Sequence, residues 1–147
     1  MRQGKAKQNK TKQISLFIRL RALYAIKMAA SSRRVAGSIF VRIAGLSGAT
    51  AVGLGAYGTH VLKPKAEIEH EKQVFDSANK YHFLHSLALL AVPLTRRPLL
   101  VGSLMVSGMA MFCGPCYYYA MTSDPTPVKV APYGGTLLIV AWAAMAL

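Results

Sequence analysis

Acidic side chains are scarce in this sequence: five Asp and Glu stand against 18 Lys and Arg in 147 residues, and none precedes Glu67. Paired carboxylates for general acid–base work are therefore missing. Asp76, the carboxylate nearest an apolar segment, is expected to pair with Lys80 one helical turn on. Cysteine is almost as rare, and two residues are too few for a disulfide scaffold. There is no zinc-ligand spacing, no His-Glu-x-x-His, no phosphate-cradling glycine loop and no nucleophile–base–acid arrangement. The sequence motifs of metalloproteases, nucleotide-binding proteins and serine hydrolases are thus absent. Formal charge is nearly absent from the second half, where only Arg96, Arg97, Asp124 and Lys129 follow Lys80.

What the chain does have is apolar surface, 53% hydrophobic residues in a length suited to one compact domain. It also has a basic beginning, since 11 of the 18 Lys and Arg lie in residues 1–42. A net charge of +13 ordinarily raises nucleic acid as a partner, because Lys and Arg displace counterions from phosphates. Here the excess is a tail on an oily body, without a basic recognition helix or an RNA-recognition signature, and no nucleic-acid partner is expected. Membrane orientation or organelle targeting accounts for the tail better.

Four apolar segments set the expected architecture. Residues 43–61, IAGLSGATAVGLGAYGTHV, run 19 positions without a Lys, Arg, Asp or Glu, close to the ~20 that cross a ~30 Å hydrocarbon core as a helix. Gly45, Ala49 and Gly53 recur every four residues, a small-residue stripe expected to let helices approach closely. Residues 79–94 form a second, shorter span. An amphipathic stretch leads into it from about Ala66, with Ile68, Phe75, Ala78, His82 and Leu89 on one face and Lys72, Asp76 and Lys80 mostly away from it. PLTRRP (93–98) reads as a tight polar turn. Residues 98–121 and 130–147 are the third and fourth spans, joined by the proline-bearing loop SDPTPVK. The expected fold is all-α: an integral membrane four-helix bundle over 41–147, with a basic N-terminal extension (1–40) and an interfacial amphipathic stretch before the second span.

The N-terminal segment and the Arg96–Arg97 turn carry the positive excess. The positive-inside rule then places both termini on the cytosolic or matrix side. Residues 1–40 have the basic, acid-poor composition of a mitochondrial presequence; a disordered basic tail is the alternative. Met28 opens MAASSRRVAGSIF, which reads as a natural start and makes 1–27 an upstream extension. The mitochondrial inner membrane is the favoured location, with the endoplasmic reticulum or plasma membrane as alternatives.

This topology gathers the unusual residues in the outer half. The first span ends at His60, the second begins through Asn79, His82 and His85, and the fourth begins at Tyr133. At ~1.5 Å per residue, Cys113 lies about 22 Å along a ~30 Å crossing, so Cys113, Cys116 and Tyr117 to Tyr119 join them. His82 and His85 project within about 60° of each other on a helix. His60 would complete a three-nitrogen metal site, and a single histidine would suffice as an axial haem ligand. Hydrogen-bonded structural histidines are the favoured reading; a metal, haem or quinone contact and proton handling are the others. No cofactor and no metal is expected. The tyrosines have a plain reading as an interfacial aromatic belt.

Several blocks carry a family resemblance: AGLSGATAVGLGAYGTH, FDSANKYHFLHSLALL, the tyrosine-bearing third span, and APYGGTLLIVAWAAMAL. Over about residues 33–147 they resemble the transmembrane protein 256 family, small four-helix membrane proteins with bacterial relatives and no established activity. Gly55-Ala56-Tyr57-Gly58-Thr59-His60 matches the end of that family's first helix, with Thr59 in place of the usual alanine. Phe75, Tyr81, His82, His85, Leu87, Ala88 and Leu89 match its second, and Pro132, Gly134 and Gly135 the start of its last. The cysteine pair lies outside the family pattern.

The pair itself sits in FCGPCYYY as Cys113-Gly-Pro-Cys116. A thioredoxin-type dithiol opens a helix after a buried strand. Here fifteen charge-free residues precede Cys113 as one span, so Pro115 is expected to bend a membrane helix by removing a hydrogen bond to the Met111 carbonyl. A disulfide between Cys113 and Cys116 remains a candidate. The functional expectation is a non-enzymatic multi-pass membrane protein, an accessory or assembly factor with membrane-protein partners or a second copy of itself. The alternative is a small redox or transport protein that uses the His/Cys/Tyr cluster.

Overall fold

The computed structural model describes the backbone of residues 2–62 and 69–147, with side chains from residue 13 onward apart from 32–34 and 36. The described residues form four α-helices: α1 (Arg2–Tyr57), α2 (Glu69–Leu89), α3 (Pro98–Thr122) and α4 (Ala131–Met145). A π-helical turn, Gly58–Leu62, closes α1, and 3-10 turns at Val92–Leu94 and Thr126–Val130 precede α3 and α4. The chain divides into two units, Met1–Val35 and Ala36–Leu147. The first is helical wherever described, and within it the Arg21 guanidinium lies 5.6 Å from the centre of the Phe17 ring.

Local chemistry explains the helix limits in the second unit. Glu69 and Glu71 lie in the first turn of α2, where carboxylates complement the helix dipole. At its other end, Leu90 and Ala91 donate to Leu87 and Ala88 carbonyls at 3.0 Å, and Pro93 has no N–H to continue the α-helical ladder. Pro98 starts α3 at a position where a missing N–H costs nothing. Ser123 stops it in the left-handed conformation (φ 60°), donating its N–H to the Tyr119 carbonyl at 2.8 Å.

Consecutive helices of this unit run antiparallel. Along α1, Gly37 meets Pro93, Ser47 meets His82 and Ser86, and Gly58 meets Phe75. One apolar cluster joins Phe40 and Ala44 of α1 to Leu89, Val101, Met105, Leu138 and Ala141; a second joins Phe75 and Ala78 to Cys113, Cys116, Tyr117, Ala120 and Ala131. At Gly58, Gly102, Gly108 and Gly134 a Cβ would come closer than 3.0 Å to a neighbouring atom. The Phe40 ring occupies the space a side chain at Gly102 would fill. A Cβ on Gly134 would lie 2.6 Å from the Met111 carbonyl carbon and 2.9 Å from the Gly108 oxygen. Gly134 therefore brings α4 against the α3 backbone beside the carbonyl that Pro115 leaves without its usual partner. Through that proline α3 continues as one helix to Thr122.

One expectation needs correction. Three stretches are long and apolar enough to cross a bilayer: Gly37–Leu62, Pro98–Thr122 and Thr126–Met145. The expected second span, 79–94, is not one helix. α2 stops at Leu89 and is not among these three, its first half carrying Glu69, Glu71, Lys72, Asp76 and Lys80. Its expected apolar face is otherwise correct, with Phe75, Ala78 and Leu89 buried; Ile68 and Ala66 lie outside the described residues. The stripe Gly45, Ala49 and Gly53 is exposed, with nothing within 4 Å of a Cβ placed on Gly45 or Gly53. Phe40, Ala44, Ser47 and Ala51 set the inward face of α1 instead. At 100° per residue that leaves the stripe turned away from the other helices.

Candidate functional site

The polar residues of the apolar unit meet where α1, α2 and α3 come together. Asn79 and His82 lie on successive inward turns of α2, Ser86 follows one turn later, Tyr117 projects from α3, and Ser47 faces them from α1. Asn79 Nδ2 donates to the Ala51 carbonyl at 2.7 Å and to the Tyr117 hydroxyl oxygen at 3.2 Å. His82 Nδ1 is 3.3 Å from the same hydroxyl, and His82 Nε2 is 3.0 Å from Ser47 Oγ. Ser47 and Ser86 hydroxyls are 2.6 Å apart, and Ser86 donates to the His82 carbonyl at 2.8 Å.

Donor and acceptor counting gives these bonds one consistent direction. Ser86 uses its proton on the His82 carbonyl, so Ser47 donates to Ser86. Ser47 must then accept from His82 Nε2–H, which leaves Nδ1 to accept the Tyr117 O–H. The Tyr117 oxygen accepts from Asn79. Each hydroxyl, ring nitrogen and amide proton in the chain has a partner, and none needs a charge. Buried polar groups satisfied in this way hold helices together in lipid, because separation would leave them unpaired.

His85 is part of a separate arrangement. Its Nδ1 lies 2.6 Å from the Tyr81 carbonyl, an acceptor only, so this nitrogen carries the proton. Its Nε2 is 3.2 Å from Trp142 Nε1, a donor only, so this nitrogen accepts. Those two partners define a neutral Nδ1–H imidazole with both nitrogens occupied. The histidines therefore separate: His82 faces α1 and α3, His85 is held by Trp142 of α4, and His60 is exposed in the π-helical turn. Among the described residues no three His, Cys, Asp or Glu side chains gather as a metal-binding group.

Cys113 and Cys116 are both buried free thiols in the second apolar cluster, so the candidate disulfide is not formed. Cys113 also lines a cleft of about 300 Å³ whose polar wall is Ser47, His82 and Tyr117. Of the three tyrosines after the cysteines, Tyr118 is exposed as an interfacial belt would have it. Tyr117 is buried inside the network, and Tyr119 packs edge-on to His70 at 5.9 Å. Sequence reasoning missed Ser47, Ser86 and Trp142. Ser86 was detectable as a hydroxyl one turn beyond His82; Ser47 and Trp142 gain their roles only through contacts 35 and 57 residues away.

Comparison with known proteins places the chain among membrane proteins. The profile described as "Protein of unknown function (DUF423)" matches residues 54–135. The chain is similar to UPF0382 membrane protein C1782.12c of Schizosaccharomyces pombe, 31% identical over 111 residues, 70% of this chain and 94% of that protein. It is 32% identical to UPF0382 membrane protein SSP2132 of Staphylococcus saprophyticus over 109 residues, covering 71% and 90% of the two chains. With UPF0382 membrane protein YwdK of Bacillus subtilis it shares 30% over 111 residues, 71% and 89%. No solved structure matches.

Proposed function

The chain belongs to the DUF423 family, whose bacterial and fungal members are named UPF0382 membrane proteins, and from that premise we propose a non-enzymatic role for it as an accessory or assembly factor of a membrane complex. The observation that carries this reading is the closed hydrogen-bond chain Asn79–Tyr117–His82–Ser47–Ser86. Its polar groups are occupied by one another, and their evident work is to fasten α1, α2 and α3. The small-residue stripe Gly45, Ala49 and Gly53, turned away from the chain's own helices, suits contact with a partner helix or a second copy.

The reading includes four crossings, with both termini on the matrix or cytosolic side. α2 supports a fourth: Phe75 shares a cluster with Ala120 and Leu89 shares one with Val101, so α2 lies along much of α3. From Phe75 to Leu89, fifteen residues of α2 extend about 21 Å. The mitochondrial inner membrane and the finer assignment to the transmembrane protein 256 family belong to the same proposal.

Purification of the full chain from its native membrane in detergent, with mass spectrometry of what accompanies it, tests the role. A recurrent stoichiometric membrane partner supports it, and loss of that partner in Ala49→Leu would place the contact on α1. Stoichiometric metal or a haem absorption band, abolished by replacing His60, His82 and His85 with Gln, would establish the redox or transport alternative instead.

A further inference from the structure

A cavity of about 720 Å³ lies between α2 and α4 with its floor on α3. It is within the ~300–1,000 Å³ typical of small-molecule sites. Aromatic rings surround it. Tyr81 stands edge-on to Phe112 at 5.4 Å, and the His85 ring contacts both Tyr81 (6.0 Å) and Trp142 (6.1 Å). No Lys, Arg, Asp or Glu lines it. A charged metabolite or a phospholipid headgroup would find no counter-charge there, and would leave water at a high cost.

The polar groups in the wall narrow the ligand further. His85 has both nitrogens occupied, Trp142 N–H is bound to His85, and the Thr136 hydroxyl donates to the Pro132 carbonyl at 2.9 Å. The Tyr81 hydroxyl makes no hydrogen bond among the described residues, and this side chain is 44% exposed. The cavity thus offers one uncommitted donor beside aromatic faces and edges. We propose that it binds a neutral, planar, carbonyl-bearing ring on an apolar tail, the chemistry of a lipid-soluble quinone, with the Tyr81 O–H donating to a ring carbonyl. Binding alone is proposed, without electron transfer. It is independent of the accessory role, since a bound quinone requires neither catalysis nor a protein partner.

Trp142 is the only tryptophan and lines the cavity, so its emission reports this site directly. The test is a titration of the full-length protein, in detergent micelles, with a short-tailed benzoquinone. Saturable quenching at about one equivalent is expected. Tyr81→Phe should weaken it roughly two- to tenfold, the range of one hydrogen bond. Thr136→Phe, a change at an exposed position that fills the mouth, should weaken it more than tenfold with an unchanged circular-dichroism spectrum. Quenching that rises without saturation and equally in all three proteins would overturn the site, since that is simple partitioning into the micelle. Equal competition by a saturated alkane, or an unaltered Tyr81→Phe titration, would overturn the assignment to a carbonyl-bearing ring.

Discussion

Ser47 Oγ and His82 Nε2, 35 residues apart in sequence, lie 3.0 Å from each other and join α1 to α2. Because Ser47 also relays to Ser86, Ser47→Ala breaks two links at once and leaves the His82 N–H without an acceptor. A loss of roughly 1 kcal/mol is expected, the usual scale for an interhelical polar contact in lipid. It should be read as an earlier unfolding transition in detergent. A double-mutant cycle with Ser47→Ala and His82→Phe should show non-additivity, the sign that both substitutions remove the same bond.

Glycine substitutions should divide by face. A methyl group on Gly134 meets α3 backbone atoms that cannot rotate away, and one on Gly102 meets the Phe40 ring. Gly134→Ala should cost about 3 kcal/mol or more, and Gly102→Ala about 1–3 kcal/mol, since the ring can shift in part. Gly45→Ala and Gly53→Ala meet nothing within 4 Å. These two should be neutral or gain up to about 1 kcal/mol from helix propensity. Thermal unfolding of the four variants side by side gives the order.

The buried thiols should resist labelling. Cys113 and Cys116 are 4% and 8% exposed and lie among Phe75, Ala78 and Tyr117. Intact mass measured without reductant should show two free thiols. Maleimide should add to them slowly in the folded protein and fully after denaturation.

Asp124 lies in the turn between α3 and α4, outside the apolar stretches. Its Oδ1 accepts from the Thr126 hydroxyl at 2.6 Å and from the Thr126 N–H at 2.9 Å. These bonds hold its carboxyl below the usual aspartate value, the hydroxyl contributing most. A depressed folded value means that the contribution to the turn is complete above the unfolded pKa and is lost as pH falls through the folded one. The turn should therefore be insensitive between ~pH 5 and ~pH 8. Carboxyl NMR titration should show the Asp124 midpoint moving up in Thr126→Val.

Much of the architecture was legible in the chain itself. Pro98 and the Arg96–Arg97 turn announced the start of α3, and charge-free runs marked three apolar stretches, because lipid and helix geometry act on each segment locally. The buried face of α2 followed from periodicity, with Phe75, Ala78 and Leu89 inward. The end of α2 did not: 79–94 reads as one apolar run, yet Leu90 and Ala91 enter tight turns. Nor did the inward face of α1, where small residues lie on several sides and contacts such as Phe40 on Gly102 and Ser47 on His82 decide the rotation.

The candidate site divides along the same line. Composition determined that Asn79, His82, His85 and Tyr117 are uncommon groups in an apolar setting and must find partners. Which partners they found was decided by packing. Helical spacing leaves His82 and His85 about 60° apart, an angle small enough to suggest one shared ligand and large enough to reach two different helices. Ser47 drew one histidine toward α1 and Trp142 the other toward α4. A hydrogen bond requires atoms within about 3 Å, and sequence spacing does not specify such distances between residues on different helices.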